Sequence, residues 1–448
     1  MTLLAIDWSS VAVKTGQFIL SFSILVILHE MGHFFPAKWF KCRVEKFFLF
    51  FNPYFSLWKK KVGETEYGLG WVPFGGYVKI SGMVDESMDK EQLKKPAEPY
   101  EFRSKPAWQR LIIMIGGVVV NILLAIVLFI MIMYVWGEEY LPAKNLTYGV
   151  HADSLATQIG IKDGDKIMSV DGKPLENFGT IGAEIILGEA KQIGINRNGQ
   201  DINIPIPEGF IKKLNKNKLE GFVDVRFPTF VDSVSNLAKF TNGRLEKGDQ
   251  IIALNGTPAP FYNDLNTYKK DKQNQEVILT VLRNRDTANV KVKLNDKASI
   301  GFIPKSPADI LKITTKKYTL AQSVPAGFTK CFQTLDKYVT GLKQLFTGKV
   351  NASDSLGSVI SIGNTFPSIW DWERFWTLTA IFSIILAFMN ILPIPALDGG
   401  HALFTVVEMV SGRKPGDKFM EYAQMGGMAL LLGLMAYALG LDFWRLFK

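Results

Sequence analysis

The stretch Phe18-Ile19-Leu20-Ser21-Phe22-Ser23-Ile24-Leu25-Val26-Ile27-Leu28-His29-Glu30-Met31-Gly32-His33 runs from an uncharged, largely apolar segment straight into HEMGH. On a helix, positions four apart share a face, so the imidazoles of His29 and His33 stand one turn apart and can reach one metal ion. Glu30 between them is then placed to take a proton from a water that the metal activates. The five-letter pattern is short and occurs by chance in ordinary helices. Here its helix reads as membrane-embedded, and three ionisable side chains in hydrocarbon are costly unless they line a site. Of the four histidines, His29, His33, His151 and His401, two fall in this motif. Motif and location together point to hydrolysis inside a bilayer, and they call for a third protein ligand.

At 448 residues and 48% hydrophobic, the chain is too large for one small domain and too apolar for a wholly soluble protein. Four stretches approach the ~20 residues that cross a hydrocarbon core: Thr15 to Phe35, Leu111 to Trp136, Phe375 to Ile394 and Met425 to Phe443. The first sits where a signal peptide would. Its N-terminal flank is not strongly basic and no small-residue cleavage site follows, so it reads as a retained anchor. Pro36 to Arg110 holds 14 Lys plus Arg, against Lys14 alone in Met1 to Thr15. By the positive-inside rule that loop is cytoplasmic and the N-terminus lies outside. The net charge of +9 is therefore mostly a topology signal. No basic tract interleaved with aromatics is present, and nucleic acid is not an expected partner. The two cysteines, Cys42 and Cys331, fall on opposite sides of the membrane in this topology, which leaves neither a disulfide nor a thiolate zinc site.

The first and third spans then run in the same direction and end in the same leaflet. The first ends in HEMGH. The third runs into Asn390-Ile391-Leu392-Pro393-Ile394-Pro395-Ala396-Leu397-Asp398-Gly399-Gly400-His401, where two prolines break the helix and two glycines let the backbone turn. Asp398 thus arrives at the depth and side of the His pair as the natural third ligand. His401 is a rival, since imidazole is the commonest zinc donor. Without a zinc motif elsewhere, both residues would read as a polar loop capping a helix that begins near Ala402.

These motifs together resemble the site-2 protease family of intramembrane zinc metalloproteases, in its bacterial regulator of sigma-E protease branch, over nearly the whole chain. HEMGH matches the family's HExxH, and NILPIPALDGGH matches its NxxPxPxLDGG stretch. Trp71-Val72-Pro73-Phe74-Gly75-Gly76-Tyr77-Val78-Lys79 is similar to the segment that forms a re-entrant β-loop in relatives, and Ile115-Gly116-Gly117-Val118-Val119-Val120-Asn121 to the opening of their second span. At Leu356-Gly357-Ser358 a serine stands where relatives often have proline. The resemblance implies that His29, His33 and Asp398 bind Zn2+, that Glu30 is the general base and that Asn390 contacts substrate. It also implies substrates that are single-span membrane proteins, such as anti-sigma factors already trimmed outside, or leftover signal peptides.

An internal repeat occupies the middle of the chain. Asp163-Gly164-Asp165-Lys166-Ile167-Met168-Ser169-Val170-Asp171-Gly172-Lys173-Pro174 recurs 84 residues later as Lys247-Gly248-Asp249-Gln250-Ile251-Ile252-Ala253-Leu254-Asn255-Gly256-Thr257-Pro258 (248 − 164 = 84). GD-x-I-x-x-x-[DN]-G reads as a turn, a short buried strand and a second tight turn, the signature of bacterial PDZ domains. Two are expected, from about Tyr148 to Gly221 and Phe222 to Pro304, outside the cell membrane. Such domains bind an extended peptide or a C-terminal carboxylate at a sheet edge. Here they gate substrate entry, recruit ligands, or act as spacers. Phe328, Cys331, Phe332, Leu335, Tyr338, Val339, Leu342, Leu345 and Phe346 recur at helical spacing. This fits a helix lying at the membrane surface or one packed on the PDZ domains. Asp85 to Glu101 reads as a solvated loop.

The expected architecture is a multi-pass α-helical membrane protein with about four transmembrane helices, a re-entrant β-loop and two inserted α+β PDZ domains. In order it comprises the first span with HExxH (1–40), a cytoplasmic loop with the β-loop (41–110), the second span (111–137), the PDZ domains (148–221 and 222–304), an amphipathic helix and connector (305–374), the third span with its LDG motif (375–401), and a loop with the fourth span (402–448). The expected location is the cell inner membrane, in contact with lipid, with the zinc site near the cytoplasmic side. A transmembrane substrate helix hides its peptide bonds, so a stretch must unwind, and pairing with a β-edge at Phe74, Gly75 and Gly76 replaces the lost bonds. Two other classes compete. A silent PDZ-bearing scaffold has no use for three buried ionisable groups. A metal transporter calls for polar residues along several spans, yet Leu111 to Trp136 holds only Asn121.

Overall fold

Leu111 to Trp136 is uncharged over its whole length, and in the computed structural model all of it but Trp136, which caps the end, lies within one unbroken helix. Residues 8–83, 96–217, 219–235, 238–351, 357–414 and 416–446 are described. Of the loop expected over 85–101, residues 85–95 lie outside them, as does Leu356. The long helices are α1 (Trp8–Trp39), α2 (Ala107–Val135), α3 (Leu320–Phe346), α4 (Trp372–Ile391), α5 (Asp398–Ser411) and α6 (Asp417–Leu446). Four are long and apolar enough to cross a membrane: α1, α2, α4, and Lys418–Trp444 within α6. The expected third span with its LDG motif, 375–401, contains the helix break that its two prolines imply. Its helix stops at Ile391, because Pro393 cannot supply the donor that would continue it, and a new helix starts at Asp398.

Met1–Gly137, Lys317–Thr340 and Leu356–Lys448 form one unit, and Glu138–Lys316 with Gly341–Ser355 a second. In the first unit, α1 crosses α2 with the two backbones touching. A Cβ on Gly32 would lie 2.4 Å from the Gly116 carbonyl oxygen, and one on Gly116 would lie 2.0 Å from that of Gly32. Only glycines permit this approach, the close contact by which helices associate where lipid removes the hydrophobic driving force. Hydroxyls bind α4 to both partners: Ser21 Oγ and Thr379 Oγ1 are 2.8 Å apart, and Ser383 Oγ donates to the Asn121 carbonyl at 2.7 Å. Ala125, Leu128, Phe129 and Ile132 of α2 close a core with Ala380 and Ile384 of α4.

α3 begins at Leu320, and its apolar residues divide between two faces: Phe328, Phe332, Val339 and Phe346 are exposed, while Cys331, Leu335, Tyr338, Leu342 and Leu345 are wholly or partly buried. Cys331 and Leu335 pack into the α2–α4 core, Gly327 lies against the Ile130 backbone, and the Tyr338 ring meets Phe388 edge-on. Helical spacing identified the apolar residues and carried no information about what covers them. Cys42 and Cys331 are both free and buried.

Between α1 and α2 the chain forms a four-stranded sheet of β1 (Val44–Phe51), β2 (Trp58–Val62), β3 (Thr65–Leu69) and β4 (Val72–Ile80), in the order β2-β3-β1-β4. β1 runs parallel to β3 and antiparallel to β4, with bulges near Glu45 and Phe50. The Phe47 ring meets Phe34 of α1 edge-on, and the Tyr67 ring lies tilted against it. β4 ends the sheet, so among the described residues one of its edges has no neighbouring strand. Gly76 of β4 sits directly against α1, where an added Cβ would be 2.7 Å from Val26 Cγ1.

In the second unit, the strands Glu138–Tyr140 and Thr314–Lys316 pair where the insertion begins and ends. Between them lie two separate apolar cores, one around Leu146, Ile167, Ile185 and Ile193, the other around Ile251, Leu265, Leu279 and Val292. Phe222 belongs to the first. The sequence repeat is a structural repeat. Asp171-Gly172 and Asn255-Gly256 take positive φ in the same tight turn, between Lys166–Val170 and Lys173–Pro174 and between Gln250–Leu254 and Thr257–Pro258. Each buried GD aspartate is clamped by an arginine: Arg197 donates to both oxygens of Asp165 at 2.7 Å, and Arg283 does the same for Asp249.

Burial pushes the Asp249 pKa up, but hydrogen bonds from Arg283 and the Glu246 N–H outweigh it and leave the carboxyl below its ordinary value. The stability from this pair is therefore present above the ordinary carboxylate pKa of about 4 and is lost as pH falls through the lower folded value. Asp249→Ala strands the guanidinium and should cost the second module about 2–3 kcal/mol near neutral pH. Urea unfolding should show that difference and show it fading as pH falls below the ordinary carboxylate range; a cost independent of pH would mean the carboxylate charge is not what is lost.

Candidate metal centre

The α1 helix carries His29, Glu30 and His33 at the point where it crosses α2, on either side of Gly32. Both imidazoles are buried. His33 Nδ1 donates to the Ile113 carbonyl at 2.8 Å, which leaves its Nε2 lone pair facing inward. His29 Nδ1 lies 3.1 Å from Asn121 Nδ2 on the same helix, α2. Gly117 makes the room: a Cβ there would fall 2.5 Å from both His29 Cε1 and His33 Nε2.

Asp398 comes from the far end of the chain. After α4 stops, the backbone turns through Ala396 at φ +86°, a conformation an L side chain adopts at a cost of roughly 1–3 kcal/mol. The turn sets Asp398 in the first turn of α5, where the helix dipole favours a carboxylate. Its Oδ2 is buried with no hydrogen bond of good geometry.

The three inward atoms form a nearly equilateral triangle. His29 Nε2 and His33 Nε2 are 3.3 Å apart, and Asp398 Oδ2 is 3.2 Å from the first and 3.3 Å from the second. A tetrahedral zinc with bonds of ~2.0–2.1 Å has ligand-to-ligand edges of about 3.3–3.4 Å. Two imidazoles and a carboxylate also match the donor set of catalytic zinc sites, which keep a fourth position open. The residues fit the ion, and the orphaned Oδ2 has no other partner to explain it. His401 is not part of this cluster; its Nε2 is 2.9 Å from Gln424 Nε2.

His29, Glu30, His33, Asp398 and His401 line a cavity of 720 Å³. Gly76, Tyr77, Val78, Lys79 and Ile80 of β4 form another part of its wall. The Asn390 amide nitrogen is 3.3 Å from His29 Nε2, so the residue expected to meet substrate does face the centre. Of the expected substrate-binding strand, Gly76 reaches the cavity. Gly75, at φ +111°, is set beside the Phe51 ring, and Phe74 is placed by its backbone alone within β4. Sequence reasoning missed Ile113, Gly117, Ala396 and Gln424 as parts of the site. Only Asn121 gave a signal, as the one amide in an otherwise apolar span.

The profile of peptidase family M50 matches residues 17–434. The chain is 27% identical to a regulator of sigma E protease of Haemophilus influenzae, over 96% of this chain and 98% of that protein. It is 28% identical to a putative zinc metalloprotease of Vibrio cholerae over the same shares, and 27% identical to the protease RseP of Yersinia pestis over 99% and 100%. A metal triangle of zinc's dimensions, four apolar helices and this end-to-end similarity agree, and the chain belongs to peptidase family M50, the site-2 protease family of zinc metalloproteases.

Proposed function

We propose that this zinc metalloprotease hydrolyses peptide bonds within the transmembrane segments of single-span membrane proteins, of the anti-sigma-factor or remnant signal-peptide kind. One observation carries the reading: the edge strand β4, last in its sheet, and the His29–His33–Asp398 triangle border the same cavity. A substrate helix must give up its internal hydrogen bonds before a peptide bond can be cut, and an adjacent strand edge offers replacements. Gly75 and Gly76, which follow Phe74, give that strand two residues without side chains at which a second backbone can approach.

Zinc held by His29, His33 and Asp398 supplies Lewis acidity toward the scissile carbonyl and makes a water acidic enough to lose a proton near neutral pH. Glu30, on the cavity wall one residue from His29, takes that proton and returns one to the departing amine. Asn390, whose amide nitrogen already points at the centre, donates to the carbonyl oxygen as negative charge develops there. The turn at Ala396 holds Asp398 in place while the substrate moves.

The same reading places the enzyme in the inner membrane with the zinc centre toward the cytoplasm, as the 14 basic residues between Pro36 and Arg110 favour. The repeated modules are two PDZ domains outside the membrane. Their insertion between the second and third spans suits a gate that admits trimmed substrates and excludes those with bulky outer domains.

Glu30→Gln removes the base and no ligand. It should leave one zinc per chain while slowing cleavage of a model transmembrane substrate by about 10³-fold or more. Turnover near that of the wild type would remove Glu30 from the mechanism. Deleting Tyr148 to Pro304 should raise the cleavage rate of full-length substrates and leave trimmed ones nearly unchanged, once zinc content shows the metal centre intact. Slower cleavage of trimmed substrates would instead mean that the domains recruit new C-termini, and no change in either rate would make them spacers.

A further inference from the structure

Asn121 lies against the metal centre, and no step of the mechanism uses it. It is fully buried in α2, within the uncharged stretch that follows Arg110, and an amide in hydrocarbon is expensive to keep. Its backbone is fixed, since Ser383 Oγ donates to its carbonyl. Its side chain reaches the back of a metal-binding ring, with Nδ2 3.1 Å from His29 Nδ1, while its Oδ1 is buried and has no donor.

His29 therefore faces amide nitrogens on both sides: Asn121 Nδ2 at Nδ1, and Asn390 Nδ2 3.3 Å from Nε2. A neutral imidazole has one N–H and one lone pair, so it cannot accept at both nitrogens. Nε2 is the atom in the triangle with His33 and Asp398, and to serve as a ligand it must keep its lone pair. The ring proton then belongs on Nδ1, opposite Asn121. There the amide nitrogen would be donor against donor. The two ends of a carboxamide have the same shape, and a half turn about χ2 exchanges them. That turn brings the orphaned Oδ1 against Nδ1–H and satisfies both groups at once.

We propose that Asn121 is a positioning residue of the metal centre, which in the loaded enzyme accepts the His29 Nδ1 proton through Oδ1 and so holds Nε2 ready to bind zinc. His33 obtains the same service from the Ile113 carbonyl, which no side-chain substitution removes. His29 depends on a side chain, and it is the ligand whose orientation a single substitution can release. Metal-bound histidines generally owe their tautomer and ring angle to such a partner, and loss of one weakens metal binding about 10- to 100-fold.

The proposal rests on His29 being a zinc ligand, and its test separates the two statements. Zinc affinity of the full-length protein in detergent is measured by competition with a chelator of known strength, for wild type, Asn121→Leu, Asn121→Asp and His29→Ala. Thermal unfolding of the metal-free forms runs alongside. His29→Ala should lose the metal; if it does not, the ligand assignment is at fault rather than Asn121. Asn121→Leu keeps the volume and removes the acceptor, and it should bind zinc about 10- to 100-fold more weakly. Asn121→Asp retains an acceptor in the same place and should return to within about threefold of wild type. In the cobalt-substituted protein, the visible ligand-field bands should shift in the Leu variant and match wild type in the Asp variant. Unchanged affinity in Asn121→Leu would overturn the proposal. So would an Asp variant as weak as the Leu variant, which would reduce Asn121 to a packing residue. If Asn121→Leu does not fold without metal, the Asp variant against wild type decides alone: affinity reduced about tenfold or more contradicts the proposal, and affinity retained upholds it.

Discussion

Two backbones meet where α1 crosses α2 at Gly32 and Gly116, and the metal centre depends on that contact. In lipid there is little hydrophobic drive to bring helices together, so close packing must do it, and side chains at these two positions would push the helices apart. With the helices in contact, the Ile113 carbonyl reaches His33 and Asn121 reaches His29. Gly117 leaves space for both rings. α4 then packs on α2 through Ala380, Ile384 and Ser383, and its far end delivers the turn that carries Asp398. Residues 29 and 398 are thereby brought within 3.2 Å by packing among small residues rather than by any direct link between their helices.

The polar side chains of the spanning helices can be sorted by whether they are satisfied. Ser21 meets Thr379, and Ser383 meets the Asn121 carbonyl; such pairs hold helices together at modest energy. Among the described residues of α1, α2 and α5, the buried side-chain atoms without a hydrogen-bond partner are Gln17 Oε1, Asn121 Oδ1 and Asp398 Oδ2. The last two belong to the metal centre. A buried acceptor left without a donor costs roughly 1–3 kcal/mol, so these mark where a bound ion and its consequences for the His29 ring complete the structure.

Much of this was legible in the residues. Four apolar stretches gave four long helices, HEMGH gave two rings on one face, and the reading of Asp398 over His401 agrees with the triangle, since His401 turns to Gln424. The GD repeat gave two modules with the same turns and the same aspartate–arginine clamp. What stayed hidden is long-range or backbone-borne. The acceptor for His33 is a main-chain oxygen, and any residue at 113 would supply it. The positive φ at Ala396 has no signature in an alanine. The third span was read three residues too far, to Ile394, because the apolar pattern continues past the point where Pro393 ends the helix. The apolar residues of α3 were visible, but whether lipid, a soluble domain or other helices covered them was a question of tertiary packing alone.

On this account one helix, α1, and the start of α5, 365 residues downstream of His33, converge on one zinc (398 − 33 = 365). X-ray absorption at the zinc edge of the purified full-length protein tests it most directly. The account predicts one zinc per chain with two imidazole nitrogens and light-atom oxygen donors, all at about 2.0–2.1 Å, and no sulfur. Three imidazoles would put His401 in place of Asp398, and a sulfur ligand near 2.3 Å would contradict the site altogether.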